Sequence, residues 1–201
     1  MAFYNEIANI PLFVWDPRYK VRGERRKSLV QTIDLPATIL EYFGIALPKD
    51  MEGVPLKDVV ASDKRIHEGG LFGVHGGHVN VTDGRYVYMR GPANKSNTPQ
   101  FNYTLMPTHM RGMFRIDELA DWRTAGPFSF TKGLKTLKTP STAWVDENEL
   151  RTMLFDIDND PKQQNPLNDK KIESRMTKLL VKLMKKNDAP KEQYERLGLR
   201  G

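Results

Sequence analysis

Cysteine is absent from this 201-residue chain, and that absence removes several chemistries at once. Without a thiol there is no disulfide framework, no thiolate zinc site, no iron–sulfur cluster and no cysteine nucleophile. Long apolar runs are missing too. The densest, Ile10 to Trp15, is interrupted by Pro11 and is far too short for a membrane span or the apolar centre of a secretory leader. The expected location is therefore cytoplasmic, with no membrane partner. Several catalytic signatures are lacking as well: there is no P-loop, no G-x-G-x-x-G, no H-E-x-x-H and no G-x-S-x-G. Three N-x-[ST] sequons, at Asn80, Asn94 and Asn102, read as chance matches in a chain with no leader.

What is present is ordinary globular material with one charged feature. A composition 39% apolar and 28% charged can build a core, and 201 residues hold one substantial domain or two small ones. The formal net charge of +6 is local. Between Lys170 and Lys186 stand seven basic residues and one acid, and outside that stretch 24 basic residues face 24 acidic ones. Ile172, Met176, Leu179, Leu180, Leu183 and Met184 recur through the same stretch at helical spacing. They form one apolar face, with Asp169 as N-cap and lysines at the end that favours cations. This reads as a surface helix over 169–187 covering a core. An anionic partner is the alternative, but no aromatic residue interleaves the lysines to stack a base, so no nucleic-acid partner is expected.

The punctuation of the chain suggests two regions. In 1–64, Ile10–Trp15 reads as a buried strand of a parallel sheet, with Pro11 at its first position. A helix follows, with Asp34 as its cap, Pro36 in its first turn and Gly44 as its stop. Pro55 to Val60 adds a short helix. In 65–201, Leu71–Val74 and Val79–Thr82 are strand-like, Asp83-Gly84 is a hairpin turn, and Arg85–Arg90 alternates as a half-buried strand should. Residues 91–142 read as a long irregular excursion, Thr152–Asp156 as a further strand, and 187–201 as a polar tail. The expected fold class is α/β: the end of a sheet, strand plus helix, followed by a small C-terminal antiparallel sheet with a packed helix, an α+β subdomain.

Few side chains suggest chemistry. His75-Gly-Gly-His78 is the most pointed feature, because two glycines between imidazoles let backbone approach a ligand closely. A metal there would need a third ligand, and none is adjacent. His109 sits near Arg111 and could meet an anion, whereas His67 has no supporting neighbour. Asp156-x-Asp158-x-Asp160 imitates a calcium loop but places Pro161 and Leu167 where glycine and a bidentate glutamate are required.

Longer stretches resemble a known family. Tyr4 to Pro17, Ser28 to Gly44 with Met51-Glu-Gly-Val-Pro-Leu56, Gly76 to Tyr88, Leu154-Phe-Asp-Ile-Asp-Asn-Asp-Pro161 and Asn187 to Gly198 resemble, in order, the C-terminal part of sulfatases, members of the alkaline phosphatase superfamily. The resemblance implies an alkaline-phosphatase-like sheet end in 1–64 and the family's C-terminal subdomain in 65–201. It implies an enzyme that hydrolyses sulfate esters with a formylglycine, made in a C/S-x-P-S-R motif, and a divalent cation, usually calcium. None of those motifs is in this chain: no serine begins S-x-P-x-R, and no Asp-Asp, Asp-His-Gly or Asp-Asn-Gly occurs. The chain is therefore expected to have no catalytic residue, no metal and no cofactor of its own. It would act as a wall of the substrate pocket, where the resemblance places His75 and His78 with Asn80 behind them. As an isolated chain it is expected to be inactive. The alternative is a stand-alone binding or oligomerisation module, a homo-oligomer joined through the apolar run at Ile10–Trp15.

Overall fold

A computed structural model describes residues 4–109, 111–142 and 150–201. Three short helices precede the sheets: α1 (Asn5–Ala8), α2 (Asp34–Tyr42) and α3 (Lys57–Ser62). α2 stops where Gly44 turns to φ 69°, its N–H reaching Glu41 O while Ile45 N–H reaches Leu40 O. Asp34 is not the cap. Ile33 holds that position, and Asp34 opens the helix with its carboxylate turned inward and fully buried.

The main sheet is a four-stranded antiparallel layer in the order β1 (Gly70–Gly73), β2 (Val79–Thr82), β3 (Tyr86–Arg90) and, from the far end of the chain, β9 (Met153–Asp156). The turn predicted at Asp83-Gly84 closes β2 onto β3, with Asp83 Oδ1 accepting the N–H groups of Arg85 and Tyr86. Register aligns Leu71, Val81, Tyr88 and Leu154 in one row across the sheet. Against this row lies α4 (Lys170–Lys186), burying Met176, Leu180, Leu183 and Met184. Each such side chain withdrawn from water contributes about 1.5–3 kcal/mol. Asp169 caps α4 as expected, accepting from Lys171 and Ile172 N–H. The basic residues face outward; Arg175 pairs with Asp83 at 2.7 Å and Lys182 with Glu68 at 2.7 Å.

The opposite face carries the alternate row Phe72, Asn80, Met89 and Met153, together with Val87 and Phe155. Tyr4 packs edge-on against Phe155, its ring centroid 6.2 Å away. Asn80 lies on this apolar face, completely buried.

Three stretches depart from the sequence reading. Residues 91–142 are not irregular. They hold β4 (Phe101–Thr104), a small hairpin of β5 (Thr108–His109) and β6 (Gly112–Met113), β7 (Arg123–Ala125) and β8 (Thr136–Pro140). β8 is the centre of a second antiparallel sheet, ordered β4-β8-β7. The polar tail likewise contains α5 (Lys191–Arg196), which buries Tyr194 and Arg196 and is followed by the buried Leu197. Glu192 of α5 accepts from Tyr103 of β4 and pairs with Lys138 of β8, so this helix joins the second sheet to the first.

Ile10–Trp15 differs most from expectation. A buried parallel strand needs a ladder partner and two covered faces, and among the described residues no strand pairs with this run. It is chain without regular structure, and Phe13 is 94% exposed and Trp15 79%. Arg18 anchors its end, bonding Asp16 at 2.7 Å and Glu41 of α2 at 2.9 Å.

Candidate functional site

The His75-Gly-Gly-His78 segment is the turn between β1 and β2, closed by Gly77 N–H donating to Val74 O at 3.0 Å. Gly76 sits at φ 73°, which favours glycine, and a Cβ on Gly77 would stand 2.9 Å from the Val74 side chain. The glycines make a turn so tight that both carbonyls are available to side chains from elsewhere. Asn97 Nδ2 donates to Gly76 O at 2.7 Å, and Arg196 Nη1 donates to Gly77 O at 3.1 Å and to Asn97 Oδ1 at 2.9 Å.

The two histidines have different surroundings. His75 is exposed, its Nε2 2.9 Å from Ser141 Oγ. His78 is 3% exposed, and its Nε2–H donates to Arg151 O at 2.9 Å, which makes it the Nε2 tautomer and leaves buried Nδ1 without a partner. Asn80 follows on the same face, and neither atom of its amide finds a hydrogen bond. Among buried polar groups this is rare. His78 and Asn80 therefore lie on one face of the strand that leaves the turn. His109 does not join them. It lies on the β5–β6 hairpin, where Nε2 meets Glu118 Oε1 at 2.7 Å and the ring rests against Phe114. A carboxylate already faces it, which works against the anion contact expected there.

Electrostatics around the turn are one-sided. Partial burial of its ring, open to solvent on one side only, with the nearby Arg196 charge adding to it, lowers the titration of His75, and burial dominates the lowering at His78. The unfolded chain therefore binds protons that the folded one resists. The contribution of these imidazoles to stability is complete above the ordinary histidine range near 6.5 and is lost as pH falls through it. Urea unfolding at pH 8 and pH 5.5 should show the lower midpoint at pH 5.5. Replacing His78 by glutamine should reduce that difference.

Several residues here escape a sequence reading. Arg196, Asn97 and Ser141 come from separate parts of the chain. One usable signal existed: Pro190 ahead of Tyr194 and Leu197, with Gly198 behind, is the punctuation of a short helix. His67 also has a partner after all, the buried carboxylate of Asp34, at 2.8 Å. That couple borders a shallow cleft lined by Arg65, Glu68, Asp83 and Arg175.

The donor set does not suit the cation that the sequence resemblance implies. Among the described residues no group of three or more His, Asp or Glu side chains is placed to hold a metal ion. Asp156, the first acid of the imitation calcium loop, is turned to Arg85 at 2.8 Å and to Asn159 Nδ2 at 2.9 Å.

Comparison with known proteins agrees with the resemblance. Residues 1–69 match the family model described as N-sulphoglucosamine sulphohydrolase, C-terminal. An arylsulfatase of Clostridium perfringens (strain 13 / Type A) is 29% identical over 87 residues. That match covers 39% of this chain and 18% of the clostridial protein.

Proposed function

Starting from a C-terminal sulfatase-family segment, we propose that the chain is the C-terminal region of a sulfuric-ester hydrolase, supplying pocket wall and structural support rather than the reacting groups. The observation that carries this reading is the division of labour on the main sheet. One face is closed by α4 from within the chain, while the other holds His78 and Asn80, buried and incompletely bonded, beneath the exposed His75 at its rim. A wall that meets a sulfate ester would use such neutral donors and imidazoles to orient the anion. Cleavage itself requires a nucleophile and a cation against the charge on the sulfuryl oxygens. The sequence holds neither the formylglycine precursor motif nor the metal-ligand motifs, so both belong to the catalytic part of the enzyme. Calcium and formylglycine are cofactors of that part, and the sulfate-ester substrate is met through it. Location in the cytoplasm, without membrane or nucleic-acid partners, completes the proposal. With an aryl sulfate and calcium, the isolated chain should release no phenol above a heat-killed control. Measurable turnover would overturn the reading.

A second reading has its own observation. Ile10, Leu12, Phe13, Val14 and Trp15 are all exposed, close in sequence to the exposed Ile39, Tyr42, Phe43 and Ile45 of the α2 region. Monomers rarely expose so much apolar surface in one stretch. As a stand-alone module the chain would bury it against a second copy. Light scattering at micromolar concentration should then give the mass of a dimer, and the double variant F13S/W15S a monomer. A monomeric wild-type chain would remove this reading.

A further inference from the structure

Sulfur in this chain is all thioether, because nine methionines stand beside no cysteine. The described methionines divide by their surroundings. Met89 and Met153 fill one face of the main sheet, Met176 and Met184 the contact of α4 with the other, and none of these is more than 7% exposed. Met51 is half-buried. Met106 and Met113 are 63% and 69% exposed and belong to neither core cluster. Both lie where the chain folds into the β5–β6 hairpin, a two-stranded sheet of its own. Met113 stands in register with Thr108. Thr104 fixes the Met106 backbone at both ends, its Oγ1 accepting the Met106 N–H at 3.0 Å and donating to the Met106 carbonyl at 2.6 Å. Both side chains are thus offered to solvent from backbone that is hydrogen-bonded in place. Met1 and Met110 lie outside the described residues.

Oxidation of a thioether follows the access of oxidant to its sulfur, and the sulfoxide that forms is polar. In a packed core that polarity is disruptive, whereas on an open hairpin it displaces nothing. We propose that Met106 and Met113 form an oxidant-responsive modification site, which a hydroperoxide converts reversibly to sulfoxides while the core methionines stay reduced. In each step a sulfur lone pair attacks the outer peroxide oxygen, an S–O bond forms and the O–O bond breaks. The proton on the transferred oxygen passes to the departing oxygen, which leaves as water or an alcohol. Sulfur loses two electrons and the peroxide gains them. A thiol-dependent sulfoxide reductase reverses the change: two thiols become a disulfide, and the oxygen leaves as water. The same exposure that admits peroxide admits that enzyme. This chemistry stands apart from the sulfatase reading, needing no ester and no catalytic partner.

Treating the folded chain with dilute hydrogen peroxide and mapping its tryptic peptides tests the site. Met113 is read on residues 112–115, and Met106 is separated from Met110 by fragmentation of residues 96–111. Met89 and Met153, on residues 86–90 and 152–162, report the core. The exposed pair should oxidise about tenfold faster than these two or more, and unfolding in urea should abolish the difference. Protein oxidised at the pair should keep the thermal midpoint of the untreated chain. Methionine sulfoxide reductases for both sulfoxide epimers, with dithiothreitol, should restore its mass. In M106L/M113L the rates at Met89 and Met153 should match those of wild type. Slower core oxidation in that variant would mean that sulfoxide at the pair opens the fold, contrary to the proposal. Core oxidation as fast as that of the pair, reaction at only one of the two, a lowered midpoint, or sulfoxides that the reductases leave in place would each overturn it as well.

Discussion

Replacing Asp34 by alanine is expected to cost about 3–5 kcal/mol, from about 1–3 kcal/mol for each donor left without its acceptor. The carboxylate is fully buried and accepts from three directions: Gln31 N–H at 2.7 Å, Val54 N–H at 2.8 Å and His67 Nε2 at 2.8 Å. Those donors come from the approach to α2, the turn before α3 and the segment leading into β1. One side chain thus pins three lengths of backbone. Alanine leaves two N–H groups and an imidazole without their acceptor around a fully buried position. Asparagine retains one acceptor oxygen and should cost less than alanine. The urea midpoint, with an unchanged denaturant slope, is the measurement. A loss below about 1 kcal/mol for D34A, the size of an ordinary single hydrogen bond, would mean that these bonds do not hold the segment.

Gly91→Ala should be damaging for a steric reason. Gly91 follows β3 directly, and a Cβ there would stand 1.8 Å from Leu150 O and 2.9 Å from Leu150 C. These are backbone atoms, so no rotamer change can relieve the overlap. The chain ahead of β9 must move, taking with it the Arg151 carbonyl that receives His78. Insertion into a packed interior costs about 1–3 kcal/mol, and a backbone clash belongs at the top of that range or above it. G91A should therefore lose about 3 kcal/mol or more and shift the His78 imidazole resonances. Gly112→Ala is the control, since nothing lies within 4 Å of its added Cβ. If G91A matches that control in stability, the packing of β3 against the approach to β9 is wrongly described.

Legibility in the sequence followed the range of the interactions. α4 was readable to within a residue because its signals are local: apolar spacing, the Asp169 cap and terminal lysines. The Asp83-Gly84 hairpin and β9 were readable for the same reason. The second sheet was not, because β7 has three residues and β4, β7 and β8 are separated by long connections. Its pairing rests on contacts distant in sequence, which short polar-rich strands do not announce. Asp34 was misread because a capping aspartate and a buried first-turn aspartate look alike in sequence. Only the His67 and Val54 contacts tell them apart. In the candidate site, the His75-Gly-Gly-His78 turn and Asn80 were visible as a motif. Arg196 was not, since what sets it apart from a surface arginine is its burial against the turn.

The central claim, a pocket wall that meets a sulfate ester without cleaving it, can be tested in one NMR tube. The isotope-labelled chain is titrated with 4-nitrophenyl sulfate in the presence of calcium, and protein and ligand signals are followed together over time. Chemical-shift changes should cluster at residues 75–80 and their neighbours Asn97, Ser141 and Arg196, while the ester signals persist without release of 4-nitrophenol. Release of the phenol, or shift changes that leave the 75–80 turn untouched and fall instead along α4, would contradict the claim.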